Sequence, residues 1–239
     1  MFMENLKKQI LDCFKDLIFE EEPHKYFVNK ESIKYSVSNI VDKFKNPFDK
    51  DKIAFFTAKK QGRSVEDVLL DWDTKNKRSI DKGNKTHYFG ELYPYNRNLK
   101  PQTPQEEAVV KFYNDLPYFI VPLITELKMY HKEYFFAGTA DIILYNTQTQ
   151  KFIIGDYKTN ENLFKNYRNQ LLKDVFKNFL DNPFNKYQIQ LSLYEILFLQ
   201  TGLEVSHRKI VWLKEDGTYA LYDTEDLKNI LLNYLKENF

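Results

Sequence analysis

Cysteine is almost missing from this sequence, and glycine is scarce. The single cysteine, Cys13, can form no internal disulfide and cannot supply the four thiolates of an all-cysteine iron–sulfur cluster. It lies in the run Ile10-Leu11-Asp12-Cys13-Phe14 and reads as a small buried hydrophobe, in keeping with a reducing compartment. Long apolar runs are missing too. None approaches the ~20 residues that span a bilayer, and the start, Met1-Phe2-Met3-Glu4-Asn5, lacks the basic-then-apolar order of a secretory signal. The expectation is a soluble protein of the cytoplasm, or of a host's cytoplasm if the chain is phage-encoded. An excess of either charge is also missing. Thirty-five Lys and Arg face thirty-four Asp and Glu, for a net +1, so bulk charge does not hold this protein on a polyanion. A local basic groove remains compatible with that total, because carboxylates gathered for other work subtract from the count.

What is present is a globular composition. Of 239 residues, 43% are hydrophobic and 29% charged, enough for one large core. The richness in Lys, Asn, Ile, Phe and Tyr fits an AT-rich genome and carries no chemistry. Apolar residues recur at helical spacing over residues 4–19, and a hairpin is expected over 24–37 around Asn29-Lys30-Glu31. Ser36 or Ser38 is placed to cap a following helix. Further helices are expected over 50–72, 81–93 and 104–115. The texture changes near residue 118, where three strands follow: 118–128, 134–145 and 151–158. Then come a helix over 161–181, an amphipathic helix over 187–200, a hairpin of 205–213 with 218–222 around Asp216-Gly217, and a C-terminal helix from about Thr224. This order gives an α/β fold with an α-helical N-terminal part. It is divided as residues 1–117, helical and packed on the core, and 118–239, the core itself.

One constellation stands out. Gly138-Thr139-Ala140-Asp141 lies in the second strand of the trio, and Gly155-Asp156-Tyr157-Lys158-Thr159 ends the third. If these strands are antiparallel neighbours, the two carboxylates meet at one end of the sheet, a hard-oxygen pair suited to Mg²⁺ or Mn²⁺. Asp156 and Lys158 are two apart and share a strand face. Such a set suits phosphodiester hydrolysis, which needs an activated water and shielding of phosphate charge, with a lysine to position the water and stabilise developing charge. An isolated Asp-X-Lys is more often a solvated strand end. Here, though, Asp156 follows the apolar run Phe152-Ile153-Ile154, and its partner strand lies directly upstream.

These residues resemble the PD-(D/E)XK nuclease superfamily, in its RecB-like branch, and the likeness extends beyond the triplet. Gly83-Asn84-Lys85-Thr86-His87 resembles the branch's upstream Gly-X-X-X-His helix, with Glu91 a turn later. Glu126 resembles the acidic residue of the preceding strand. Gln190-Leu191-Ser192-Leu193-Tyr194 resembles the downstream Gln-X-X-X-Tyr helix. The segment from Tyr35 to Trp72 is similar to the N-terminal part of phage exonucleases and of the mitochondrial genome maintenance exonuclease. The chain departs from the family where the glycine of the upstream helix is followed by Asn84-Lys85-Thr86 rather than small residues.

The resemblance implies a restriction-endonuclease-like core, with a mixed central sheet flanked by helices. It implies a metal-dependent DNA exonuclease favouring single strands or free ends, with roles in DNA repair or recombination. Metal ligation falls to His87, Asp141, Asp156 and the backbone carbonyl of Tyr157, and catalysis to Lys158. Glu126 acts nearby through water or on a second ion. Gln190 and Tyr194, four apart on one helical face, touch the DNA or steady Lys158. A structure-specific endonuclease and a catalytically silent DNA-binding accessory of recombination are the competing functions. His24, His131 and His207 have no motif around them and read as structural. Tyr88, Phe89, Tyr93 and Tyr95 are candidates for base stacking. Lys43, Lys45, Lys50, Lys52, Lys59, Lys60 and Arg63 form a basic stretch that would contact phosphates or simply face solvent.

Overall fold

The computed structural model describes residues 1–22 and 25–239; His24 lies outside them. The chain opens with helix α1 (Phe2–Cys13), strands β1 (Leu17–Glu20), β2 (Lys25–Val28), β3 (Glu31–Ser32) and β4 (Tyr35–Ser36), and helix α2 (Val37–Lys43). Two helices follow, α3 (Lys50–Gln61) and α4 (Val65–Leu92), and then α5 (Pro104–Asn114). The main strands are β5 (Ile120–Tyr130), β6 (Phe136–Asn146) and β7 (Lys151–Lys158). Helix α6 (Pro183–Phe198), the hairpin β8 (Val205–Leu213) and β9 (Tyr219–Asp223), and helix α7 (Lys228–Asn238) complete it. Among the described residues, no helix is long and apolar enough to cross a membrane.

Strands β1, β2 and β3 form a small antiparallel sheet, turned by Asn29 and Lys30 at positive φ. The main sheet is mixed. It runs β4-β6-β7-β8-β9, with β5 on the other edge of β6. Strand β7 is antiparallel to β6 and parallel to β8, and helices flank the sheet. One buried cluster joins Ile10, Phe14, Val37 and Ile40 from the N-terminal part to Ile143, Leu191 and Leu235 from the rest.

The sheet forks where the candidate site lies. Strand β6 carries β4 along Phe136–Ala137 and β7 only along Ile142–Asn146. Beyond Gly155, β7 continues beside β8, through Asp156, Tyr157 and Lys158, without β6. Gly138 lies in the gap between β4 and β7. A Cβ there would meet Val37 at 2.7 Å and Tyr194 at 2.9 Å, so the glycine lets α2 and α6 close onto the strand.

Several expected elements differ. The helix expected over 4–19 stops at Cys13, and Leu17–Glu20 alternates half-buried and exposed residues as a strand. The helix over 50–72 breaks at Gly62, whose φ of 64° caps α3 in the left-handed region. Ser64 then caps α4, which runs unbroken through residues 73–80. No helix spans 161–181. That segment is irregular apart from a single 3₁₀ turn, Asp174–Phe176, and an isolated bridge of Leu171 with Leu180. Asparagine side chains supply the hydrogen bonds a helix would have made. Asn166 donates to the carbonyls of Gln170 and Asp181, and Asn46 donates to Leu171. The C-terminal helix begins at Lys228, because β9 extends to Asp223 and Thr224 serves Arg208 as an acceptor.

Candidate metal centre

Three adjacent strands place three carboxylates beside one another. Thr125 faces Ile142 and Leu127 faces Ala140, so the intervening Glu126 lies on the rung of Asp141. Ile142 faces Gly155, so the next step outward sets Asp141 beside Asp156 at the fork. The backbone records the strain of this arrangement. Glu126 has φ of 50°, in the left-handed region, in mid-strand. For a residue with a side chain that costs on the order of 1–3 kcal/mol, and such strain persists where surrounding structure enforces it.

Asp141 is buried and organises the site. Its Oδ2 accepts the Tyr157 backbone N–H at 2.6 Å, replacing the ladder bond lost where β6 and β7 part. Its Oδ1 lies 3.2 Å from Nδ1 of His87. His87 arrives from α4, which comes close to the sheet through Gly90: a Cβ there would lie 2.7 Å from the Tyr157 ring. The close approach is therefore at Gly90, three residues beyond His87; a Cβ on Gly83 would meet only Thr159, at 3.8 Å. Tyr157 is buried against α4, on the strand face away from Asp156 and Lys158, where its hydroxyl lies 2.6 Å from that of Tyr113.

Ligand atoms of His87, Glu126 and Asp141 all lie within 4.8 Å of one another. One imidazole nitrogen and two carboxylates of net negative charge fit a divalent cation. Asp156 stands just outside this set. Lys158, two residues on, forms an ion pair with its Oδ2, and both side chains are largely buried. Glu126 thus groups with His87 and Asp141, while Asp156 engages Lys158.

The electrostatics reflect crowded charge. Burial pushes the Glu126 carboxyl up, and neighbouring Asp141 pushes it further, to about 8. Burial opposes a charged His87, but the Asp141 carboxylate outweighs it and lifts the imidazole to about 9. Burial also resists ionisation of Asp141, yet His87, Lys158 and the Tyr157 N–H hold it below the usual carboxylate range. Asp156 is pushed up by burial and by Asp141, with Lys158 offsetting only part. Lys158 is held cationic against its burial by Asp156.

Gln190 and Tyr194 share one face of α6, where Gln190 Nε2 donates to the Tyr194 hydroxyl at 2.7 Å. Tyr194 lines a cleft of about 490 Å³ together with Glu126, Glu91 and Thr139. Gln190 lines an adjoining cleft of about 360 Å³ with Asn160 and Tyr187, and Ser38 borders both. Tyr187 was not singled out by sequence reasoning, yet its ring centroid lies 4.4 Å from Lys158 Nζ and its hydroxyl donates to Asn160 at 2.7 Å. Its position one turn before Gln190 was the available signal.

The other candidates divide. Phe89 and Tyr93 are core residues stacked on each other, whereas Tyr88 and Tyr95 are exposed. In the basic stretch, Lys45, Lys50 and Arg63 pair with Asp42, Asp73 and Asp71. Lys43 sits over the Tyr35 and Phe239 rings. Lys52, Lys59 and Lys60 have no carboxylate partner among the described residues. His131 is buried, accepts the Glu133 and Tyr134 amides, and lies 3.1 Å from Gln200 Nε2, while His207 is exposed. Cys13 is part-buried, with its thiol donating to the Gln200 carbonyl.

No protein-family model matches this chain, and no curated protein does. Among solved structures, a crystal structure of SSO0001 is similar at 16% identity and a TM-score of 0.39, with 100% of this chain and 84% of that one covered; the likeness is too distant to carry function across.

Proposed function

We propose that this chain is a divalent-metal-dependent DNA nuclease with a restriction-endonuclease-like core, of the PD-(D/E)XK type in its RecB-like branch, acting as an exonuclease on single strands or free ends. One observation carries the reading. Glu126, Asp141 and Asp156 occupy neighbouring strands at the fork of the sheet, with His87 beside Asp141 and Lys158 beside Asp156. A self-sufficient structural cluster would not gather three carboxylates around one lysine and one histidine in a cleft.

His87, Glu126 and Asp141 would hold Mg²⁺ or Mn²⁺, and the family resemblance adds Asp156 and the Tyr157 carbonyl as further oxygen donors. The imidazole nitrogen favours Mn²⁺ over Mg²⁺. The ion supplies the charge that shields phosphate oxygens and acidifies water. The protein's own groups do the rest. Asp141 orients His87 and fixes the Tyr157 amide. Lys158, kept protonated by Asp156 and faced by the Tyr187 ring, offers a fixed cation to the charge that develops on phosphate. Gln190 and Tyr194 border the adjoining clefts, where the strand would lie.

Digestion of end-labelled, end-blocked and circular single-stranded DNA tests the reading. Linear, free-ended DNA should be degraded with Mn²⁺ or Mg²⁺, and EDTA should stop the reaction. Cutting of circles would convert the reading to an endonuclease. Full activity in excess chelator, or none on any DNA with either metal, would overturn it.

A further inference from the structure

A third cleft, of about 870 Å³, lies between α3 and the loop around Tyr167. Lys52 and Lys60 line it from the helix, and Arg168 from the loop. All three are exposed, and none has a carboxylate partner among the described residues. The lining acid, Asp49, is already engaged as the cap of α3 through the Lys52 N–H. Two aromatic rings share the lining: Phe56, 59% exposed, and Tyr167, 50% exposed. The loop is held in an unusual shape. Arg168 and Asn169 have φ of 55° and 54°, and Asn166 pins both ends of the turn by donating to the Gln170 and Asp181 carbonyls.

Cations without carboxylate partners beside exposed rings, with Arg168 itself 5.0 Å from the centre of the Tyr167 ring, are the chemistry of a single strand, whose phosphates meet the cations and whose unstacked bases meet the rings. A duplex hides its base faces and has nothing for Phe56 and Tyr167 to stack on. A short stretch of chain links this cleft to those of the candidate metal centre. Ser38 borders both the cleft of Glu126 and the one that Lys45 lines. Two residues beyond Lys45, Pro47 lines the third. Asn46 between them is tied down to Asp181 and Leu171.

We propose that this groove binds single-stranded DNA and leads the strand towards the metal cluster, an inference that rests on the nuclease reading. Binding of a fluorescein-labelled oligodeoxythymidine, followed by anisotropy in EDTA, tests it without cleavage. Lys52→Ala/Lys60→Ala/Arg168→Ala should bind at least ~10-fold more weakly. Its slope of log affinity against log salt should be shallower by about 2, at ~0.7 per phosphate released from a single strand. Tyr167→Ala should lose about fivefold or more with the salt slope unchanged, since stacking is not ionic. A control triple, Lys8→Ala/Lys132→Ala/Lys236→Ala, should bind like wild type. Wild-type affinity and slope in the groove triple would overturn the inference, as would tighter binding of duplex or of oligouridine than of oligodeoxythymidine. The two readings fail separately. Groove-dependent binding without cleavage in any metal removes the nuclease alone; cleavage with groove-independent binding removes the groove alone.

Discussion

Two buried clusters of charge in this protein are built on opposite principles. Behind α6, Glu195 is 1% exposed and each of its oxygens has its own cation: Arg208 on one, and Lys228 on the other at 2.6 Å. Arg208 spends a further donor on the Thr224 hydroxyl. Lys228 also pairs with Asp226 at 3.1 Å, so two cations meet two carboxylates and donors meet acceptors, as a low-dielectric interior demands. At the fork, Glu126, Asp141 and Asp156 crowd together against one lysine and one histidine, and the backbone of Glu126 is strained to do so. A structural cluster neutralises itself; a site holds its imbalance in place for something else to neutralise. Removing a carboxylate from the fork should therefore act on stability with the opposite sign to breaking an ion pair behind α6.

Breaking the balanced cluster gives the largest effect. Arg208→Met leaves Glu195 with one counterion and strands a buried oxygen, at a cost of about 3–5 kcal/mol. Adding Glu195→Leu should recover part of that loss, measurable as a double-mutant cycle in urea. Glu126→Gln should do the reverse. At pH 9, above the raised pKa of Glu126, it removes a buried carboxylate facing Asp141, so the metal-free protein should melt higher than wild type while Mn²⁺ no longer raises its melting temperature. If Glu126→Gln melts lower without metal, the fork is a structural cluster like the other.

Lys158→Ala comes next. The sequence alone suggests a strand-end lysine of little structural weight, but the side chain is 12% exposed and is the counterion of Asp156. Metal-free Lys158→Ala should therefore lose stability, and bound Mn²⁺ should restore much of it. Single-turnover cleavage should fall by ~100-fold or more even at saturating metal, the scale of removing one preorganised charge from a transition state. Lys158→Arg should recover little of it, since a planar guanidinium cannot reproduce a compact ammonium. Cleavage at the wild-type rate in Lys158→Ala would end its catalytic role.

The imbalance also sets a pH dependence. His87 is raised from 6.5 to about 9, and Glu126 from 4.5 to about 8. Between those limits the folded protein holds more protons than the unfolded chain, so stability falls as pH rises. The contribution of His87 is complete below pH 6.5 and lost through about 9; that of Glu126 is complete below 4.5 and lost through about 8. Asp141, lowered from 3.8, acts in the opposite direction only in acid. In EDTA the melting temperature should drop by on the order of a few degrees between pH 6 and 9. Saturating Mn²⁺, which competes with those protons, should flatten the slope. A melting temperature that climbs over that range would mean the fork is not holding the protons assigned to it.

The comparison also separates what sequence can and cannot disclose. Asp141, Asp156 and Lys158 were legible because strand alternation fixes which residues share a face. Ser36 as a helix cap, the Asn29-Lys30 turn and the Asp216-Gly217 turn were legible because each rests on local chemistry. The helix expected over 161–181 was wrong because Asn46, far away in sequence, takes the Leu171 carbonyl, a contact no local pattern contains. Likewise, Glu126 joins His87 and Asp141 through a left-handed backbone in mid-strand, and nothing in the composition of β5 announces that. The pairing of Glu195 with Arg208 and Lys228 was missed altogether, since it links an apolar helix face to two later elements.

The smallest effect is expected where the two kinds of cluster meet, at the Gln190–Tyr194 pair. Tyr194 is 5% exposed and packs on Gly138, so Tyr194→Ala would open a cavity and confound any test of function. Tyr194→Phe removes only the hydroxyl that accepts from Gln190. One lost hydrogen bond costs about 1 kcal/mol, a shift of roughly 2–4 °C in melting temperature for a chain of this size. Metal affinity should not change, because the hydroxyl is outside the His87, Glu126 and Asp141 set. Cleavage should fall by less than ~10-fold, since Lys158 keeps both its ion pair and the Tyr187 ring. Gln190→Ala should reduce cleavage at least as much while costing less stability, because Gln190 is only half-buried and borders the cleft beside Lys158. Melting curves, a Mn²⁺ titration and single-turnover rates on both variants distinguish a shared role from a packing role. If Tyr194→Phe lowers the melting point while both variants cut at the wild-type rate, the pair belongs with the balanced cluster behind α6, and the candidate site ends at Lys158.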